Sequence, residues 1–152
     1  MRYAHMEVTT QEVPGELSLC ISVTGCPLRC KGCHSEYLWD ADHGQELTME
    51  MLDYWLLRYK DLATCVLFMG GEWNPETLVP MLIRSKNQGY RTCLYTGQTT
   101  VRNVIREQLD WLKTGPWIPS RGGLYEPNTN QKFIEVKTNN CLNELFAKKH
   151  KP

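Results

Sequence analysis

The chain carries no surplus of either charge: 17 basic residues stand against 17 acidic ones in 152. A broad electrostatic footprint for nucleic acid or an anionic membrane needs an excess of Lys and Arg, so neither partner class is expected. No apolar run approaches the roughly 20 residues that cross a bilayer. The opening Met1-Arg2-Tyr3-Ala4-His5-Met6-Glu7 lacks the apolar core of a signal peptide, which predicts a cytoplasmic protein. Internal repeats, low-complexity tracts and linkers rich in Pro, Gly or Ser are all missing. Residues 1–152 therefore read as one domain of ordinary globular composition, 41% hydrophobic and 22% charged. Cysteine is what the chain has in excess, with seven. An odd number, in a chain with no export signal, argues against a disulfide framework and points to metal or catalysis.

Short strand-like runs alternate with helical patterns. Leu17–Thr24 alternates apolar and polar residues like a strand and stops at Gly25. Thr48 reads as the N-cap of a helix with Met51, Leu52, Trp55, Leu56 and Tyr59 on one face. Thr64–Met69 is a continuous apolar run, the pattern of a strand buried on both faces, and it ends at Gly70-Gly71. Asn74-Pro75-Glu76 opens a second helix, and Gly89 closes it. A third strand over Arg91–Thr96 ends at Gly97, and Thr100 is placed to cap a third helix bearing Val101, Val104 and Ile105. Trp111–Lys113 reads as a short fourth strand and Phe133–Val136 as a fifth, after a Gly/Pro-rich loop from Gly115 to Pro127. This alternation predicts βαβ units and a mainly parallel α/β sheet. A closed eight-unit barrel takes about 250 residues, so the expectation is an open, partial (βα)5-6 barrel. Ligands gather at the carboxyl ends of parallel strands, where the glycine-bearing loops lie.

The first of those loops reads Gly25-Cys26-Pro27-Leu28-Arg29-Cys30-Lys31-Gly32-Cys33-His34, a C-x3-C-x2-C spacing. Pro27 and Gly32 disfavour a regular helix and leave a loop free to curl three sulfurs around one centre. Thiolates select soft metals, chiefly zinc or iron–sulfur clusters. Two readings stay open on spacing. One is a [4Fe–4S] cluster held by three cysteines, with one iron free for a substrate or cofactor. The other is zinc, with His34, His43 or Cys20 as fourth ligand. No second Cys/His pair follows downstream to favour zinc. Cys65, Cys93 and Cys141 stand singly.

The cysteine loop after a first strand resembles the defining motif of the radical S-adenosylmethionine enzymes. That resemblance implies Cys26, Cys30 and Cys33 as ligands of one [4Fe–4S] cluster, with S-adenosylmethionine chelating the free iron. It also implies reductive cleavage to methionine and a 5′-deoxyadenosyl radical that abstracts a hydrogen atom. Gly70-Gly71-Glu72 stands where the family binds the methionine amino group. Alone, a glycine pair ending a strand is usually a turn. Thr96, in Tyr95-Thr96-Gly97, is equally suited to a strand terminus and to the cofactor's ribose or carboxylate. Gly32 and His34 border the cofactor in this reading, whereas Thr129-Asn130-Gln131 reads as a turn. His5, His43 and His150 read as solvated surface residues. Among five tryptophans, Trp55 suits a core-facing helix and Trp111 a strand. Trp73 and Trp117 fall at the loop end, where aromatics either fill the gap of an incomplete barrel or dock a peptide loop.

Within the superfamily the chain most resembles the glycyl-radical activating enzymes, in particular the short anaerobic ribonucleoside-triphosphate reductase activating proteins. The likeness runs through Pro14-Gly15, Gly25–Cys33, Trp39, Gly44, Leu47-Thr48, Gly70-Gly71-Glu72, Tyr95-Thr96-Gly97 and Thr129-Asn130-Gln131. His34 in place of tyrosine and Trp73 in place of proline depart from that pattern. The resemblance implies two partners: the glycyl-radical subunit of the reductase, and a small electron-donor protein such as a flavodoxin. Two competitors remain, a small-molecule radical enzyme and a zinc-binding interaction module. Cys30→Ala is expected to abolish cofactor cleavage, because two anchors do not retain an active cluster. Cys65→Ala is expected to keep its iron. Iron analysis and deoxyadenosine assay of the two variants check this.

Overall fold

The computed structural model describes residues 1–147; His150 lies outside them. An eight-stranded open sheet forms its centre. In chain order its elements are β1 (Arg2–Thr9), β2 (Ser18–Val23), β3 (Gln45–Glu46), α1 (Met49–Arg58), β4 (Cys65–Met69), α2 (Pro75–Asn87) and β5 (Arg91–Tyr95). They continue with α3 (Asn103–Arg106), β6 (Trp111–Thr114), β7 (Lys132–Glu135), β8 (Asn140–Cys141) and α4 (Glu144–Ala147). Across the sheet the order is β3-β1-β2-β4-β5-β6-β7-β8. The four central strands, β2, β4, β5 and β6, are parallel. Among the described residues no helix is long and apolar enough to cross a membrane.

The α/β class and the parallel centre agree with the sequence pattern, but the flanks differ. Four parallel strands and three helical crossovers stand where five or six repeating units were expected. β7 lies over the expected fifth strand, yet runs antiparallel to β6. The segment joining them contains no helix, so nothing returns the chain to the far end of the sheet for a parallel approach. β1 precedes the strand read as the first and pairs antiparallel with β2. Only Tyr3 of β1 is buried, and a register shift between Tyr3 and His5 interrupts the strand.

Thr48 caps α1 as expected, its Oγ1 accepting the Met51 N–H at 3.1 Å. Leu52, Trp55 and Leu56 then turn inward, and Trp55 meets Tyr3 edge-on at 5.2 Å. Asn74 and Pro75 open α2, without a side-chain capping bond. Thr100 does not cap α3: the helix begins three residues later, behind Arg102, and Val104 stays exposed. His43 is solvated, but His5 is half-buried, with Nε2 3.3 Å from the Ser22 hydroxyl.

Alternation along the parallel strands divides the interior into two cores. Leu19, Ile21, Val23, Val66, Phe68, Leu94 and Leu112 face the helices. Cys20, Cys65, Leu67, Cys93 and Tyr95 face the other way, under Val13, Leu124 and Phe133. Register then sets side chains abreast on this second face. Ser22, Met69, Tyr95 and Lys113 form one row across β2, β4, β5 and β6, near the carboxyl ends. Thr48→Ala is expected to cost about 1 kcal/mol by removing the α1 cap, measured as a lowered denaturant midpoint with unchanged slope.

Candidate functional site

The cysteine loop leaves the carboxyl end of β2 and is held by backbone bonds. Gly25 and Cys26 both donate their N–H groups to the Leu38 carbonyl, at 2.7 and 3.0 Å. The Cys33 N–H donates to the Cys30 carbonyl at 3.1 Å, a tight turn that brings the two cysteines close in space. The Ser35 N–H donates to the Cys33 sulfur at 3.3 Å. Burial raises the Cys26 thiol, while the amides of Leu28 and Arg29 work to hold it down. All seven cysteines are free thiols, and location separates them. Cys26, Cys30 and Cys33 are half-buried in the loop, whereas Cys20, Cys65 and Cys93 are sealed in the sheet. Burial pushes the Cys20 and Cys65 thiols up to about 12 and raises that of Cys93 as well. Those three are neutral packing groups. Among the described residues no three His, Cys, Asp or Glu groups converge on a point that holds a single ion. Of the fourth ligands weighed for zinc, Cys20 lies inside the second core and His43 is solvated, while His34, on the loop itself, packs against the Trp117 ring.

A cleft of about 140 Å³ opens beside the loop. Cys26, Cys33, Gly70, Glu72 and Thr96 all line it, brought together from the ends of β2, β4 and β5. Trp39, Trp73, Met69, Tyr95 and Lys113 complete much of the wall. Cys30, Gly32, His34 and Gly71 do not line it. Gly71 is buried against Leu78 and Val23, on the core side. Gly32 and His34 instead meet the 115–121 loop, where His34 contacts the Trp117 ring edge-on at 4.8 Å. Gly32 has φ +74, and a Cβ there would stand 3.3 Å from Pro119, so both conformation and space favour glycine. Gly70 serves differently. A Cβ on it would fall 2.6 Å from the Trp73 ring, so the bare backbone seats the indole that walls the cleft.

Glu72 is the unusual group. The Thr96 hydroxyl donates to Oε1 at 2.5 Å, while Oε2 is shut off from solvent with no hydrogen-bond partner. Burial raises the Glu72 carboxyl above its ordinary range. A buried oxygen of this kind calls for a donor, and the cleft offers a place for one beside the cysteine loop. Thr129-Asn130-Gln131 bends locally, the Gln131 N–H donating to Thr129 Oγ1 at 3.1 Å, and is tethered by Asn130 Nδ2 to the Pro116 carbonyl at 2.9 Å and by Thr129 Oγ1 to the Gly122 carbonyl at 3.1 Å. Lys113 is the site residue that the sequence reading passed over. A lysine inside a short apolar strand run was the available signal, since inner parallel strands rarely carry charge.

The model of the 4Fe-4S single cluster domain family matches residues 14–115, the stretch that contains all four parallel strands, the cysteine loop and Glu72. The chain belongs to that family. Membership of the family supports an iron–sulfur cluster in this domain. Over 78 residues this 4Fe-4S domain is also 41% identical to the pyruvate formate-lyase-activating enzyme of Clostridium pasteurianum. That match covers 47% of the chain and 33% of the relative, so the chain aligns with about a third of the relative's length.

Glu72 has a raised carboxyl, so the folded domain holds its proton to higher pH than the unfolded chain does. Its contribution to stability is complete at acid pH and is lost as pH rises through the folded value. Glu72→Gln is expected to raise the melting temperature of the cofactor-free domain at about pH 8. The gain is expected to vanish near about pH 4, where both states are protonated; thermal unfolding followed by circular dichroism at the two pH values checks it.

Proposed function

We propose that this domain activates a glycyl-radical enzyme, anaerobic ribonucleoside-triphosphate reductase, by generating the radical on its glycyl subunit with a [4Fe–4S] cluster and S-adenosylmethionine. One observation carries the reading: a buried, unpartnered carboxylate oxygen of Glu72 lines the same small cleft as Cys26 and Cys33. That cleft suits a ligand with a cationic amino group next to a soft-metal site. Cys26, Cys30 and Cys33 would hold the cluster, being the half-buried thiols on one loop, while the sheet seals Cys20, Cys65 and Cys93 and Cys141 stands exposed on β8. Together the bound groups supply a one-electron reductive cleavage of a sulfonium and hydrogen-atom abstraction from glycine.

The chain's own residues do the rest. Glu72 accepts the amino group through Oε2, and Thr96 keeps the carboxylate turned toward the cleft by its bond to Oε1. Gly70 admits the Trp73 ring, which with Trp39 keeps bulk water from the cleft. Gly32 and His34 border the site from the loop side, under Trp117. Gly71 sustains the strand end that aims Glu72. In this reading the open sheet is a partial barrel of the radical S-adenosylmethionine type, in a cytoplasmic protein reduced by a small carrier such as a flavodoxin. Support for an activase comes from the family match and from the relative's printed name. That same name favours a second reading in which the partner is a formate-lyase type of glycyl-radical enzyme.

The test is anaerobic reconstitution, followed by incubation with S-adenosylmethionine, reductant and each candidate partner. The expected result is deoxyadenosine formation and a glycine-centred paramagnetic resonance signal on the reductase, both lost in Glu72→Gln by at least about tenfold. A signal on the formate lyase alone selects the second reading. A colourless protein holding one zinc ion sinks both.

A further inference from the structure

Lys113 has no role in the cofactor contacts above, yet it lies on an inner strand of the sheet, paired in register with Tyr95. It projects from β6 on the second face, in line with Ser22, Met69 and Tyr95. Among the described residues no hydrogen bond or ion pair holds its ammonium, whose recorded close contact is the Tyr95 ring, 5.4 Å away at the centroid. Two cavities meet at this side chain. One is the cleft that Cys26 and Cys33 line. The other is a groove of about 670 Å³ that Glu12 lines, and Met69, Tyr95 and Lys113 wall both. The cation therefore stands between the cysteine loop on one side and a carboxylate on the other.

We propose that Lys113 is a positioning residue for electron entry, its charge raising the potential at which a cluster on the cysteine loop accepts an electron. The inference rests on Cys26, Cys30 and Cys33 being the cluster ligands. One-electron reduction, by an external one-electron donor, adds one negative charge to the cluster and leaves its bonds intact. A fixed positive charge across a narrow, partly dry cleft stabilises that added charge more than it would in water. Glu12 acts in the opposite sense from the far side. Burial lowers the lysine's pKa overall, and Glu12 is the foremost group working in the opposite direction. Thiolate ligands on the cysteine loop would face the Lys113 ammonium across the cleft that Cys26, Cys33 and Lys113 line, an arrangement that plain packing does not require.

The test uses the full chain, reconstituted anaerobically as wild type, Lys113→Met, Lys113→Arg and Glu12→Gln, with iron and sulfide contents matched. Each is titrated with dithionite and low-potential mediators in the absence of S-adenosylmethionine, so that cofactor binding plays no part. Absorbance and paramagnetic resonance report the midpoint. The expected result is a more negative midpoint in Lys113→Met, a less negative one in Glu12→Gln, and a near-native one in Lys113→Arg. Unchanged midpoints overturn the inference, and so do shifts of one sign in both neutralised variants, which general loosening would produce. If Lys113→Met fails to hold its cluster, Glu12→Gln decides: a less negative midpoint supports the inference and an unmoved one overturns it. A wild-type protein that assembles no cluster overturns the ligand reading, and this inference with it.

Discussion

Side chains on adjacent parallel strands must alternate between two faces, and the site depends on how unequally this chain loads them. One face carries branched and aromatic residues that bind the helices: Ile21, Val66, Phe68 and Leu94. The opposite face carries Cys20, Cys65 and Cys93, small side chains that fill little space above the sheet. At the carboxyl end of that face, the row from Ser22 to Lys113 ends the packed core and begins the cavity walls. A one-residue slip of any strand would exchange the two sets and put Lys113 among the helices. Burial of the helix face therefore also fixes the register of the site.

Six of the seven cysteines show how one residue type sits in two environments. Burial without partners keeps the sheet thiols protonated and inert. The loop thiols are half-exposed, and backbone amides approach the sulfurs of Cys26 and Cys33. Glu72 extends the argument to a carboxylate. Its desolvation is only half compensated by Thr96, and that deficit is tolerable where a cationic ligand supplies the missing donor. In the proposed function, the stability forgone at that oxygen is what the amino group of a bound ligand would recover.

Much of the fold was legible because its signals are local. The continuous run at Cys65–Met69, the Thr48 cap and the glycines closing each strand all depend on residues within a turn or two of each other. β1 and the direction of β7 were not legible, because strand pairing depends on the length and content of the connection rather than on the strand. The 115–131 segment holds no helix, and that omission decides the antiparallel return. His5 was misread for a related reason: its neighbours Ser22 and Tyr37 lie far off in sequence.

The amino-acid sequence alone determined the C-x3-C-x2-C loop, the alternation of strands and helices, and the placing of Gly70-Gly71-Glu72 at a strand end. These follow from spacing, and spacing is written along the chain. Only the tertiary structure decided that Glu72 keeps one oxygen bare inside a cleft, that Gly71 faces the core, and that Lys113 stands between the cysteine loop and Glu12. Each of those facts requires strands distant in sequence to lie side by side in one register, and no local pattern encodes which side chains will then stand abreast.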